Sequence, residues 1–234
     1  MTKEQSALAL LKSVDSKLGR FYDALTDTLV RELDSINGKA LAKLIERLET
    51  QLERDADGRI ARTSKNLTRL AGLDADYVKV MDKFGHRKAI TAFVGEFPKQ
   101  LPSLAEQLSV ISGQLKRGPL NVKEILAAPK VQDMLSAQQS MTVEDMHTVA
   151  ARVAVQAKRK VMLQYGALDR FQMSEMLSDQ LGRTIGETRT LGATGLAMFH
   201  RVAHEKVMDV VDEGKKLPYV YDGPDDKLTR QFCH

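Results

Sequence analysis

Apolar residues spaced three and four apart constrain this chain most strongly, because that spacing places them on one face of an α-helix. In the first such stretch they are Leu11, Val14, Leu18, Phe21, Leu25, Leu29, Leu33 and Ile36. Asn37-Gly38 then follows as a helix-ending pair would, and the same spacing resumes over residues 39–55. We therefore predict an N-terminal antiparallel helical hairpin, with a coiled-coil arm that binds a partner helix as the alternative.

The composition indicates helices along the rest of the chain. Of 234 residues, 43% are hydrophobic but only 5% are aromatic, and Gly and Pro contribute just 15 and 6 residues. Ala, Leu, Lys, Gln, Met and Glu, which are good helix formers, are abundant. We predict an elongated all-α fold of several helices, long enough to bury a core.

A division between two regions is predicted at Lys116-Arg-Gly-Pro119, where two basic residues precede two helix breakers. Residues 1–118 form the predicted N-terminal helical region, and residues 119–234 form the C-terminal one. In the second region, Thr142 with Asp145 is expected to cap a helix that runs to Gln164, and Asp169 is expected to cap the next.

The helix after Asp169 is predicted to end at a turn, Leu181-Gly-Arg-Thr184, before a last helix over residues 185–212. The apolar side of the helix that Asp169 caps is assigned to Phe171, Met173, Met176, Leu177 and Leu181. The preceding helix, which runs to Gln164, is predicted to bury Val143, Met146, Ala150, Val153, Ala154, Ala157 and Val161. Its outer face then carries a basic cluster of Arg152, Lys158, Arg159 and Lys160.

This basic cluster is the candidate contact for DNA or for an acidic protein partner. The net charge of +4 is compatible with either partner but does not establish one. No aromatic residue is interleaved with the cluster, as stacking on bases would require. We therefore favour a solvated face or an acidic-partner contact over nucleic-acid binding.

The sequence contains no convincing catalytic or metal-binding motif. His200 and His204 lie four apart, but the zinc metalloprotease pattern needs a Glu directly after the first His, and Arg201 stands there. Asp55-Ala-Asp-Gly58 lacks the further oxygen donors of a calcium loop, so a turn is predicted. We expect no catalytic residue, no metal and no cofactor.

The sequence also contains few features that indicate where the protein is located in the cell. The chain has one cysteine, Cys233, which excludes an internal disulfide framework. The N-terminus lacks the layout of a signal peptide, and no apolar run approaches the roughly 20 residues that a membrane span requires. We expect a protein made in a reducing cytoplasm and without a membrane span.

The end of the chain differs in character from the helices before it. Tyr219-Val-Tyr leads into Asp222-Gly-Pro-Asp-Asp and then into Thr229-Arg-Gln-Phe-Cys-His234, which suggests a short strand-like hairpin. With the earlier segment Gly186-Glu-Thr-Arg-Thr190, this end resembles the head morphogenesis family of tailed bacteriophages. The residues that carry the resemblance are Thr188, Thr190, Asp225, Asp226, Thr229, Arg230, Phe232 and Cys233.

The resemblance covers about residues 180–234 and implies a function. It implies a non-enzymatic minor structural protein of the phage head that is oligomeric in the particle. Its expected partners are the portal protein, other head proteins and packaged double-stranded DNA, and its expected location is the virion, at the head interior or portal vertex. Its role would be head assembly, DNA packaging or ejection. The alternative is a cytoplasmic helical module that binds nucleic acid or another protein.

Overall fold

The computed structural model describes residues 3–114 and 121–211, and nearly all of them are helical. The helices are α1 (Lys3–Gln51), α2 (Ser64–Ala71), α3 (Leu73–Lys83), α4 (His86–Gly95), α5 (Leu101–Gln114), α6 (Val122–Ala127), α7 (Pro129–Gln164) and α8 (Arg170–Val211). Within these ranges no strand is present, so the all-α prediction is confirmed. The predicted strand-like hairpin lies outside the described residues.

α1 is one uninterrupted helix of 49 residues, so the predicted N-terminal hairpin is wrong. Asn37 does not end the helix. Its side chain is only 5% exposed, and its Oδ1 accepts a hydrogen bond of 2.5 Å from the Tyr77 hydroxyl of α3. Because this tertiary partner satisfies the amide, the helix continues. The buried stripe therefore runs straight through, as Leu33, Ile36, Ala40, Leu44 and Leu48.

α7 and α8 form a long helical hairpin joined by the turn at residues 165–169. α7 begins at Pro129, where the missing N–H costs nothing because the first turn has no acceptor for it. Thr142 is therefore a mid-helix residue and not the predicted cap. It is buried, and its Oγ1 donates to the Gln138 carbonyl at 2.9 Å.

The predicted turn at residues 181–184 is also wrong, since α8 is continuous over 42 residues. Leu181 and Thr184 are both fully buried, and the Thr184 hydroxyl lies 3.3 Å from that of Tyr77. Packing against α1 and α3 therefore outweighs the weak helix propensity of the Gly182 segment.

Two glycines of α8 mark where it approaches its neighbours most closely. A Cβ on Gly192 would lie 2.8 Å from the Phe93 ring, and one on Gly195 would lie 2.2 Å from Cγ2 of Thr142. In real structures, a Cβ atom essentially never lies within 3.0 Å of a non-bonded heavy atom from another part of the protein. Glycine at these positions is thus what lets α8 pack so closely on α4 and α7.

One buried core draws on helices from both predicted regions. The rings of Phe93 and Phe97 are 5.4 Å apart, and Phe97 contacts Phe199 of α8 at 5.7 Å. Likewise α1 packs on α8, and α3 packs on α7. The predicted division falls at residues 116–119, which lie outside the described residues, and stays a prediction.

Two local predictions are confirmed. Asp55 and Gly58 form the predicted turn, with Asp55 Oδ1 accepting from the backbone N–H groups of Asp57 and Arg59 and Gly58 at a φ of 75°. Asp169 caps α8, because its Oδ1 accepts from the Gln172 N–H at 2.8 Å. The Gln172 side chain accepts in return from the Asp169 N–H, which completes a capping box.

Candidate interaction surface

The structure separates the predicted basic cluster on α7 into two residues that form ion pairs within the protein and two that do not. Arg152 binds Glu187 of α8 at 2.8 Å, and Lys158 binds Asp74 of α3 at 2.5 Å. These two cations therefore hold neighbouring helices together. Arg159 and Lys160 are exposed and make no ion pair or hydrogen bond with any described residue.

The Lys158–Asp74 pair is the better shielded of the two, since its side chains are only 23% and 22% exposed. Partial burial of Asp74 opposes ionisation, but the hydrogen bonds from Lys158 and from the Ala75 N–H outweigh it and lower the pKa of the carboxyl. Lys158 therefore stabilises the packing of α7 against α3 and is not available to an external partner.

The turn between α7 and α8 is held against the loop that follows α1. The Ile60 N–H donates to the Leu168 carbonyl at 3.0 Å. The Arg62 side chain lies directly over Gly166, where a Cβ would come within 2.1 Å of its Nε. Arg170 at the start of α8 binds Glu49 of α1 at 2.5 Å. One end of the molecule therefore contains this turn, the loop and the adjoining helix ends.

Large apolar side chains are exposed at this end. Leu163 is 85% exposed and Phe171 is 74% exposed, one on each side of the turn, and Leu67 of α2 is 41% exposed. We use the name turn-end surface for the exposed side chains that lie close to this turn, which are Leu163, Phe171, Arg62, Arg159 and Lys160.

Sequence reasoning assigned Phe171 to the buried side of its helix, which is wrong. The buried stripe of α8 runs through Met173, Leu177 and Leu181, and Phe171 lies about 200° around the helix from Met173 at 100° per residue. Leu163 is displaced in the same way from the last buried residue of α7, Val161. The helical angle was the signal that could have identified both residues.

The turn-end surface also concentrates positive charge. Residues 49–71 and 159–172 together contain eight Lys and Arg against five Asp and Glu, which leaves a net charge of +3. Three of these cations, Lys65, Arg170 and Arg59, are paired with Glu53, Glu49 and Asp57 respectively. Arg62, like Arg159 and Lys160, has no described hydrogen-bonding or ionic partner.

The described residues that carry the family resemblance lie in the middle of α8. Thr188 is fully buried, and its Oγ1 has no hydrogen-bond partner. Thr190 is exposed, and its Oγ1 donates to the Gly186 carbonyl at 3.0 Å. Asp225, Asp226, Thr229, Arg230, Phe232 and Cys233 lie outside the described residues, so their relation to α8 stays a prediction.

The histidines of α8 lie largely inside the protein. Burial lowers the pKa of His200 to about 4 and also lowers the pKa of His204, against the opposing effect of Glu205. His200 Nε2 is buried without a partner. Among the residues that the structure describes, no group of three metal-ligating side chains is present.

Comparison with protein-family models, with curated proteins and with solved structures gave no match to this chain. Across residues 3–114 and 121–211, none of the helices combines the length and apolar character needed to cross a membrane.

Proposed function

We propose that this protein is a non-enzymatic minor structural protein of a tailed-phage head and that it associates with the portal. The observation that carries the proposal is the resemblance of Thr188, Thr190 and the segment from Asp225 to Cys233 to the head morphogenesis family. The helical architecture supports it, because α1, with 49 residues at 1.5 Å each, is about 74 Å long. Such a helix can connect partners that are far apart in a particle.

The N-terminal part of α1 is the proposed docking face for the portal. Among the side chains described from Ser13 to Leu25, none is buried, and the first buried residue is Thr26. Leu18 and Phe21 lie three apart here and are only partly buried. An amphipathic helix with an incompletely covered apolar face is a common way of binding another protein.

An acidic partner surface is proposed for Arg159 and Lys160. Arg152 and Lys158 are less suited to this role, because both bind carboxylates of the chain itself. Breaking the Lys158 pair would leave Asp74 without its cationic partner, and breaking the Arg152 pair would leave Glu187 with Arg183 alone.

Binding to purified portal oligomers encoded by the same genome tests the proposal. We expect the full-length protein to co-sediment with the portal. Phe232→Ala combined with Cys233→Ser tests the family motif, and Leu18→Ser combined with Phe21→Ser tests the docking face; each should weaken binding by about tenfold or more.

Ala24→Ser, an exposed change on the same helix, is the matched control and should bind as the unmodified protein does. Failure of the full-length protein to bind portal oligomers would contradict the proposal. Full binding by the motif variant would remove the role assigned to Phe232 and Cys233.

A further inference from the structure

The exposed apolar residues of the turn-end surface need an explanation beyond the fold. Leu163 and Phe171 are the most exposed large hydrophobic residues that the structure describes. A single exposed leucine is ordinary, but two large apolar side chains exposed on either side of one turn, in a positively charged part of the protein, are typical of sites where proteins bind. Arg and aromatic residues, both present here, are the types enriched in protein interfaces.

A segment of the same chain has the complementary chemistry. Residues 219–226, Tyr-Val-Tyr-Asp-Gly-Pro-Asp-Asp, combine three large apolar or aromatic side chains with three aspartates and contain no Lys or Arg. The apolar side chains suit Leu163 and Phe171, and the aspartates suit Arg62, Arg159 and Lys160. Opposite charges placed in this way speed encounter and fix the register of a contact.

Helix length prevents the two from meeting within one copy. Forty residues of α8 separate Phe171 from Val211, which is about 60 Å at 1.5 Å per residue. From Val211 to Tyr221 there are ten residues, and a fully extended chain of that length covers at most about 36 Å. The tyrosines therefore cannot reach the turn-end surface of their own chain.

We propose that the turn-end surface of one copy binds residues 219–226 of a second copy. Tyr219 and Tyr221 cover Leu163 and Phe171, while the aspartates bind the cations around them. This contact joins unlike surfaces, so it leaves one surface and one segment unused at the ends of any open assembly. Repetition gives a ring if the rotation closes and a filament if it does not.

A nucleic acid explains this surface less well. Three unpaired cations neutralise few phosphates, and stable non-specific DNA binding requires more. Binding to the charged backbone of a duplex also does not explain why Leu163, an apolar side chain, is 85% exposed. The self-contact goes beyond the portal proposal and does not depend on it.

Sedimentation velocity of the full-length protein over a range of concentrations tests the contact. We expect concentration-dependent self-association that weakens as salt rises, because the contact is partly ionic. Arg159→Glu with Lys160→Glu, and separately Asp225→Lys with Asp226→Lys, should each weaken it by about tenfold or more. Leu163→Ser with Phe171→Ser should do the same without loss of helical content, since both residues are exposed.

Mixing the two charge-reversed variants supplies the decisive comparison. Each variant alone should remain largely monomeric, and the mixture should regain association. The reason is that the unmodified surface of one variant then meets the unmodified segment of the other, while the introduced glutamates face the introduced lysines. Met141→Ser, a change at a residue that is 59% exposed elsewhere on α7, is the control and should associate normally.

A protein that stays monomeric at every concentration overturns the proposal, as does association that neither charge reversal changes. Duplex DNA binding that Arg159→Glu with Lys160→Glu abolishes, without self-association, would assign the surface to nucleic acid instead. Portal binding measured on Leu163→Ser with Phe171→Ser separates this result from the proposed function, because that variant leaves the α1 docking face, the family motif, Arg159 and Lys160 unaltered.

Discussion

Replacing Gly195 with alanine should destabilise the protein, because α7 leaves no room for the added methyl group. The new Cβ would lie 2.2 Å from Cγ2 and 2.5 Å from Oγ1 of Thr142. Thr142 cannot easily turn away, since it is buried and its Oγ1 is hydrogen-bonded to the Gln138 carbonyl. A β-branched side chain in a helix also has few alternative rotamers.

The expected magnitude follows from two opposing effects. Overpacking of a close contact costs about 1–3 kcal/mol, whereas removing a glycine from a helix interior gains about 1 kcal/mol. Because the overlap at Gly195 is severe, we expect a net loss of about 1–2 kcal/mol. For a chain of this size that lowers the melting temperature by about 2–8 °C.

Urea denaturation followed by helical circular dichroism measures this loss. Gly186→Ala is the matched control, because Gly186 lies on the same helix with nothing within 4 Å of its added Cβ. That variant should be more stable than the unmodified protein by about 0.5–1 kcal/mol. Gly195→Ala gaining as much as Gly186→Ala would refute the close approach of α7 and α8.

A double-mutant cycle assigns the effect to Thr142. Thr142→Ala removes Cγ2 and Oγ1 and leaves only its Cβ near the new methyl group, at 2.9 Å. The combined variant should therefore be more stable than the sum of the two single changes predicts, since the two residues are in contact. Strict additivity would show that the cost of Gly195→Ala arises elsewhere.

Three further predictions concern buried polar groups and a cap. Burial lowers the pKa of His86 and of His200 to about 4 from an ordinary 6.5, so the unfolded chain binds protons more readily than the folded one. The free energy of unfolding should therefore be highest above pH 6.5 and should fall towards pH 4, by roughly 3 kcal/mol per histidine. Urea titrations between these pH values should show the fall, and His200→Leu should reduce it. Asn37→Ala should cost about 1–2 kcal/mol, because it removes the closer partner of the Tyr77 hydroxyl and leaves only Thr184, at 3.3 Å. Tyr77→Phe in the same background should recover part of that loss. Asp169→Ala should cost about 1 kcal/mol in thermal denaturation by removing the α8 cap, and an unchanged melting temperature would contradict that role.

The sequence predicted the all-α class and one buried face correctly, because both depend on local spacing. Met146, Val153 and Val161 are buried as predicted, and the Asp169 cap is present. Each of these features is determined by residues within a few positions of one another, which is the range that helical periodicity and capping patterns cover.

The errors arose where a distant residue determines the local structure. Asn37-Gly38 resembles a helix end until the Tyr77 hydroxyl, 40 residues away, binds the Asn37 amide. Thr142 has the character of a cap, but it packs against Gly195 in the middle of α7. No local pattern contains either partner, so tertiary packing decided both cases against the sequence signal.

The candidate surface was only partly predictable for the same reason. The four cations of α7 look alike in sequence, yet Arg152 and Lys158 have carboxylate partners 35 and 84 residues away. Only Arg159 and Lys160 remain available to an external partner, beside apolar residues that the helical angle places outside the core.

Peptide mass analysis of purified particles tests the central claim most directly. If the proposal is correct, a phage or prophage genome encodes this chain, and the particles to examine are those that this genome produces, with and without an inactivating change in the gene. We predict that peptides of this protein are present in intact heads and that particles made without it are defective or fail to assemble. Normal, infectious particles that lack the protein entirely would contradict its assignment as a head component.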